Sequence, residues 1–491
     1  MLITRAEIDG VAPLDIRLAG GRIAEIAPEL RRHLGEPTLD AAGGALIPGL
    51  HDHHLHLFAL AVAESSVRCG PPEVRNGQAL ASALAAAVGS GAWIRGIGYH
   101  ESVAGHLDRE RLDELVPDRP MRIQHRSGAM WVVNSAGVDR LGLDRGVDAR
   151  GVERDAEGRA TGRLFRLDAW LREQLEAVEP PSLADVSRHL ARFGVTGLTD
   201  ATPDNSSAEL QAFITAVDRG ELLQRLVVMG APGLPAPAHT SIERGAVKLL
   251  LDERDLPPFD ELRRMIEDAH RENRPVAIHC VTRSELVLAT AAFAAAGGRA
   301  GDRIEHAAVA PPDTLSLLAS LPLTVVTQPG FIRERGDAYV VDVEPEDQPW
   351  LYRCRGLLDA SVPLGGGTDA PFGDANPWRA MQTAVDRRTE AGVRLGPDEG
   401  LTPERALALF TSPPAAPGAL PRAVEVGAPA DLCLLDRPWS QARSDLSSVL
   451  AAATIRGGSI LWQPGLESIP GEDHVAARRP SDGSRLHPLS S

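Results

Sequence analysis

Pro48-Gly49-Leu50-His51-Asp52-His53-His54-Leu55-His56 is the stretch whose reading decides the fold. It ends a short apolar run with four histidines in nine residues. In a strand, residues two apart point to the same side, so His54 and His56 can both reach one metal ion. His51 and His53 face the other way and are expected to pack or to support. An HxH pair alone is a weak signal, and its weight depends on what the rest of the chain brings to the same place.

Outward from this stretch, short runs rich in Val, Ile and Leu alternate with longer segments of helical period. That alternation marks βα units and a parallel sheet. Eight strands are expected: Ala45–His56, Val195–Ala201, Leu226–Gly230, Ala246–Leu251, Pro275–Cys280, Arg303–His306, Leu323–Gln328 and Pro363–Asp369. Helix-length segments such as Phe259–Asn273 and Ser284–Ala296 lie between them. The fold class is therefore α/β, a (β/α)8 TIM-like barrel. Its boundaries are 48–57 and 181–419.

Residues 58–180 are far too many for a βα loop. They read as an inserted subdomain after strand 1, on the face where barrel active sites form, placed to act as a lid. Leu2–Pro28, with a turn at Gly20-Gly21, and Gly427–Leu435 and Ala452–Trp462 read as further strands. A small β-sandwich domain built from both termini, 1–47 and 420–465, accounts for them. The tail 466–491, rich in Pro, Ser, Arg and Asp, reads as loosely ordered.

Composition narrows the function. The formal charge of −16 disfavours nucleic acid or an anionic membrane as partner. No apolar run is long enough to span a bilayer. The first residues lack a signal-peptide pattern, and the expected location is cytoplasmic. Cys69, Cys280, Cys354 and Cys433 are scattered, which argues against a disulfide framework or a thiolate metal site. Among 51 lysines and arginines, Lys248 is the only lysine. A position that keeps lysine in an arginine-rich chain points to chemistry that guanidinium cannot perform, namely an amine that loses its proton and reacts. Chance survival under biased codon usage explains the lone lysine equally well when it is taken by itself.

Lys248 falls within the fourth expected strand, His279 near the end of the fifth, His306 at the end of the sixth and Asp369 at the end of the eighth. With His54 and His56 these six gather near strand C-termini, where a barrel places its catalytic groups. Five are common metal ligands. An ammonium is not, but a lysine amine that has added CO2 becomes a carbamate whose two oxygens can bridge two cations. Gly365-Gly366-Gly367 lacks the Lys-Ser/Thr of a phosphate loop. It is expected instead to let the backbone pass close to the site.

On these residues the chain resembles the amidohydrolase superfamily, and within it the YtcJ-like branch that includes N-substituted formamide deformylases. The resemblance runs to about residue 462. It is carried by Pro48–Leu57, Leu112–Pro120, Val133-Asn134-Ser135, Val247-Lys248-Leu249, Thr368-Asp369-Ala370-Pro371 and Gly427–Leu435. It implies a metal-dependent hydrolase acting on a C–N, amide-type bond of a small molecule, with two divalent ions, zinc first among the candidates. His54 and His56 would bind the buried ion, His279 and His306 the exposed one, and Lys248, N-carboxylated, would bridge them. Asp369 would contact the buried ion and serve as catalytic base and then acid. A homodimer would be ordinary for such a protein.

Three positions depart from the branch pattern. Ala129 stands where a histidine is usual, with His125 four residues earlier. Arg166 replaces the acid of Thr-Gly-x-Leu-x-Glu, and Glu253 replaces a glycine after the lysine strand. Arg166 could bind a substrate anion, or be one more surface arginine. His125, Trp131, Arg166 and Gln328 are the candidate substrate contacts, with Phe331 a further wall. A mononuclear deaminase, a lactonase or esterase, and a non-catalytic binding relative remain as alternatives. The first looks for a Glu close behind a strand histidine, where this chain has Cys280-Val281-Thr282. The last would have lost ligands.

Overall fold

The computed structural model describes residues 1–465 apart from 72, 88–92, 148 and 176–179. The tail expected to be loosely ordered therefore lies outside the described residues. Eight strands form one parallel sheet in sequential order. They are β1 (Leu50–Leu55), β2 (Val195–Asp200), β3 (Arg225–Gly230), β4 (Ile242–Leu250), β5 (Val276–Cys280), β6 (Asp302–His306), β7 (Leu323–Thr327) and β8 (Leu364–Gly366). The sheet curls until its edges meet. The Asp369 N–H donates to the His54 carbonyl and the His56 N–H to the Ala370 carbonyl, each at 2.8 Å.

These segments become strands because both of their faces are covered. Leu198, Ile278, Ile304 and Val325 are wholly buried between the barrel interior and the surrounding helices. Such strands read as continuous apolar runs rather than alternating ones. Each such side chain contributes roughly 1.5–3 kcal/mol by leaving water. The helices between them are well delimited. Arg283–Ala296 starts with a capping box, in which the Thr282 hydroxyl accepts from the Glu285 N–H and the Glu285 carboxylate accepts from the Thr282 N–H.

Two expected strands are shorter than their apolar runs. Ala45–His56 divides at Gly49: Leu46–Pro48 pairs with Leu432–Leu435 outside the barrel, and only Leu50–Leu55 enters it. Pro48 has no N–H to continue a ladder. Gly49 runs so close to Thr196 that a Cβ there would meet that side chain at 2.4 Å. The eighth strand stops at Gly366, because Asp369 takes a left-handed backbone with φ 55° and leaves the sheet.

Between β1 and β2 lies a separate six-stranded mixed sheet. Its order is Val152–Arg154, Ala160–Phe165, Met130–Val133, Met121–His125, Ile94–Tyr99, Val67–Arg68. It has apolar clusters of its own, around Tyr99 and Ile123 and around Trp131 and Leu164. The two ends of the chain supply two four-stranded sheets. One is Leu2–Ile8, Val11–Ala19, Arg22–Ala27 and Thr38–Asp40. The other is Leu46–Pro48, Leu432–Leu435, Ala451–Arg456 and Ser459–Trp462. Ile3 and Ile16 of the first share a core with Leu434 and Ile455 of the second. Gly20 and Gly21 both have positive φ and form the tight turn between Ala19 and Arg22.

Candidate metal centre

The six expected side chains sit where β1, β4, β5, β6 and β8 end. His54, His56 and Asp369 each offer one ligand atom, all within 4.8 Å of one another. The His54 ring lies 4.8 Å from that of His306, which lies 4.4 Å from His279. Lys248, only 4% exposed, points a buried Nζ that has no hydrogen-bond partner. Its charge is felt by His54, His279 and His306 alike.

Each ligand face is set by what holds the opposite edge of the ring. His54 Nδ1 is 2.5 Å from Glu305 Oε2, so Nδ1 carries the proton and Nε2 keeps its lone pair. His56 Nδ1 lies 3.0 Å from the Thr202 hydroxyl, and His306 Nδ1 lies 2.6 Å from the Gln328 side-chain oxygen. Glu305 is in turn gripped by Arg303, with Nε at 2.7 Å, and Arg303 also donates to the His53 carbonyl. Asp52 accepts from the Thr368 hydroxyl at 2.5 Å and from the Thr368 and His54 N–H groups. That ties β1 to the loop that carries Asp369.

The electrostatics agree. Burial pushes His54 down to about 4 and His306 down to about 3, and it also holds His279 well below the usual imidazole value. All three are thus neutral near pH 7, the form that binds metal. Burial works to raise the Asp369 carboxyl, but His54 and the close approach of His56, whose Nε2 lies 3.2 Å from Asp369 Oδ1, hold it far below the usual range. Burial brings the Lys248 amine down to about 8, against the opposing pull of Glu305.

His54 Nε2 faces Asp369 Oδ1 at 3.4 Å. With Nδ1 protonated toward Glu305, two electron-rich atoms confront each other in a buried space. A cation between them would relieve that opposition. An uncharged core would not leave Lys248 Nζ and Asp369 Oδ1 both unbonded. The donor set of imidazoles and a carboxylate fits a divalent ion.

Strain gathers here too. His306, Ala307 and Asp369 all have positive φ, a costly conformation for residues with a Cβ that clusters at functional sites. Gly367 allows the approach of β8. A Cβ there would lie 2.6 Å from the His54 Cβ and 2.8 Å from its N.

The other candidates are distributed unevenly. Gln328 touches His306 and its amide nitrogen is buried and unbonded. Arg166 comes from the insertion with φ 51° and pairs through Nε with Asp252 just beyond β4, at 2.6 Å. It is near enough for its charge to depress His279. His125 bonds Glu101 and Ser127 within the insertion. Trp131 donates to Asp168 and is flanked by Arg95 and Arg122, so all of these partners belong to the insertion. Phe331 packs with Tyr352 and Phe372. His51 and His53 point away, to Thr199 and Ser412.

Glu305, Arg303, Asp52 and Thr202 were absent from the expected set. Glu305 had a readable signal: a carboxylate inside a buried strand, next to a candidate ligand, is almost never tolerated without a partner.

A family model described as "Amidohydrolase family" matches residues 38–462. The N-substituted formamide deformylase of Arthrobacter pascens is 26% identical over 517 aligned positions, covering 91% of this chain and 94% of that protein. The putative amidohydrolase YtcJ of Bacillus subtilis (strain 168) is 24% identical over 451, covering 78% and 82%. A solved structure titled as an uncharacterized metal-dependent hydrolase from Pyrococcus horikoshii OT3 shares the fold. Its TM-score is 0.71 and its identity 22%, over 89% of this chain and 96% of that one. The matched span takes in all eight barrel strands and every member of the histidine cluster, and the chain belongs to the amidohydrolase family.

Proposed function

We propose that this protein is a metal-dependent hydrolase that cleaves an amide-type C–N bond in a small molecule. The observation that carries the reading is the confrontation of His54 Nε2 and Asp369 Oδ1 across 3.4 Å beside an unbonded, buried Lys248. His54, His56 and Asp369 would hold one cation, and His279 and His306 a second, with Lys248 between them. Bound divalent ions, zinc first among the candidates, supply Lewis acidity and make water acidic enough to ionise near neutral pH.

The chain's own residues do the rest. An amine brought down to about 8 is partly neutral at physiological pH. Its nitrogen can add to the carbon of CO2 and lose a proton, which turns a repelling cation into an anionic carbamate. Arginine cannot do this. Asp369, an ionised carboxylate with Oδ1 unbonded, accepts the proton of the attacking water and returns it to the departing nitrogen. Glu305, Thr202 and Gln328 keep the imidazoles turned toward the centre. We take the two terminal sheets as a β-sandwich bracing the barrel, and the insertion between β1 and β2 as a lid. Among the described residues no helix is long and apolar enough to cross a membrane; a cytoplasmic homodimer is our working picture.

The likeness to a formamide deformylase makes N-formyl compounds the first class to test. The decisive experiment combines metal analysis with a hydrolysis screen of N-formyl, N-acyl and cyclic amides and the matching esters. Two transition-metal ions per chain and faster turnover of amides than of esters are expected. One ion per chain with release of ammonia from an amino-heterocycle would mean a mononuclear deaminase instead.

A further inference from the structure

We propose that Arg126 and Arg335 form an anion subsite beside the metal centre, so that the preferred amide substrate carries a carboxylate. This rests on the hydrolase reading and names the substrate class for it.

Arg335 lies in the helix Gly330–Asp342 that follows β7, and Arg126 follows the insertion strand Met121–His125. The two come from different parts of the chain that meet at Phe372: Arg335 donates to its carbonyl, and the loop that carries Arg126 packs on its ring. Arg126 is pressed below the usual guanidinium value by burial and then by the charge of Arg335. The Arg335 guanidinium lies 3.9 Å over the Phe331 ring and donates to the Phe372 carbonyl at 2.7 Å. Both of those partners are neutral.

Some buried arginines pair with a carboxylate, as Arg17 does with Glu36, Arg303 with Glu305 and Arg353 with Glu399, and others, such as Arg274 and Arg387, are satisfied by several backbone carbonyls. Among the described residues, neither Arg126 nor Arg335 has a carboxylate in ion-pair contact. Glu101 and Asp342 are felt by Arg126, but Glu101 is engaged by His125 at 3.1 Å. Glu334, beside Arg335, accepts from the Asp374 N–H. Two partly buried like charges repel, and an anion bound between them would relieve that cost and gain charge-assisted hydrogen bonds.

The subsite also adjoins the chemistry. The residue whose carbonyl Arg335 holds, Phe372, has its ring 5.5 Å from that of His56. The insertion loop that carries Arg126 packs on the same ring, since a Cβ on Gly128 would meet Phe372 Cε1 at 2.5 Å. Burial works to lower the Arg335 guanidinium, but Tyr339, Tyr352, Asp369 and Glu334 together hold it above the usual value, so it stays charged beside the centre while Arg126 is the one pressed down. Arg166, the arginine that first drew attention as a possible anion contact, is already offset by Asp252.

The test uses the metal-loaded protein, N-formyl amino acids of two chain lengths and their methyl esters, and succinate binding followed by calorimetry. The free acids should be preferred in kcat/KM by about 10–100-fold, the worth of one or two charge-assisted hydrogen bonds. Arg126→Gln should cut that ratio about tenfold, mainly through KM, and weaken succinate binding to a similar degree. Arg335→Lys keeps the cation but loses the fork, and should cut the ratio less. Equal turnover of acid and ester by the unaltered protein, or a ratio unmoved by Arg126→Gln, overturns the subsite. If no amide is cleaved at all, the hydrolase reading falls, and succinate alone decides the subsite: binding lost in Arg126→Gln upholds it, and binding absent or unaffected overturns it.

Discussion

Two buried polar assemblies in this molecule differ in how complete they are. In the insertion, the Trp131 indole N–H reaches Asp168 at 2.7 Å, and its ring lies 5.2 Å from both the Arg95 and the Arg122 guanidinium carbons. Those arginines leave Nε unbonded, but their charge is spread over an aromatic face that attracts it. At the barrel mouth, Lys248 Nζ, Asp369 Oδ1 and Gln328 Nε2 are buried with no partner, and lone pairs confront each other. The first assembly is finished by its own side chains. The second is left open by its own side chains, and in the proposed function a bound cation completes it. Buried polar groups left open together, rather than burial or polarity as such, mark the working site.

That contrast breaks most decisively at Lys248. Lys248→Arg should keep the barrel folded by circular dichroism but lose the second metal and nearly all turnover, because guanidinium cannot form a carbamate. Unaltered metal content in this variant would remove the lysine from the centre. Asp369→Asn comes next. It should retain most metal and lower kcat by about 10³-fold, within the range for losing a positioned acid–base group. A loss below tenfold would move the proton transfer to another residue. Glu305→Gln is smaller. His54 would lose its carboxylate partner, and metal affinity measured by competition with a chelator should fall roughly 10–100-fold. Affinity unchanged in that variant would mean that the 2.5 Å contact does not orient His54.

The same contrast explains what could be read in advance. Lys248 stood out because the chain spends arginine everywhere else. His54 and His56 stood out because a strand's two-residue period is local. Glu305 acts on His54 from 251 residues away, and it is neutralised by Arg303 on its own strand. Neither relation exists until the barrel closes. The apolar run before His51 looked uniform, yet sheet membership changes at Gly49 because Asp431 and Thr196, both remote in sequence, receive the chain there. The insertion's sheet was obscure because it includes a strand as short as Val67–Arg68, which carries no period to detect. Arg126 and Arg335 were invisible as a pair, since only folding brings their segments together at Phe372.

The smallest effect should come from the finished assembly. Trp131→Phe keeps an aromatic face for Arg95 and Arg122 but removes the N–H that Asp168 accepts. Among the described residues, Asp168 would keep only the longer hydrogen bond from Gln124, at 3.4 Å. The cost should be about 1–2 kcal/mol, that of a hydrogen bond to a charged acceptor together with a weaker ring quadrupole. Because Trp131 contacts the insertion's own core, the loss should appear as a lower midpoint of denaturation, with metal content and kcat unchanged. If kcat fell in step with the midpoint, the insertion and the metal centre would be one cooperative unit, and the satisfied stack would belong to the machinery it now only adjoins.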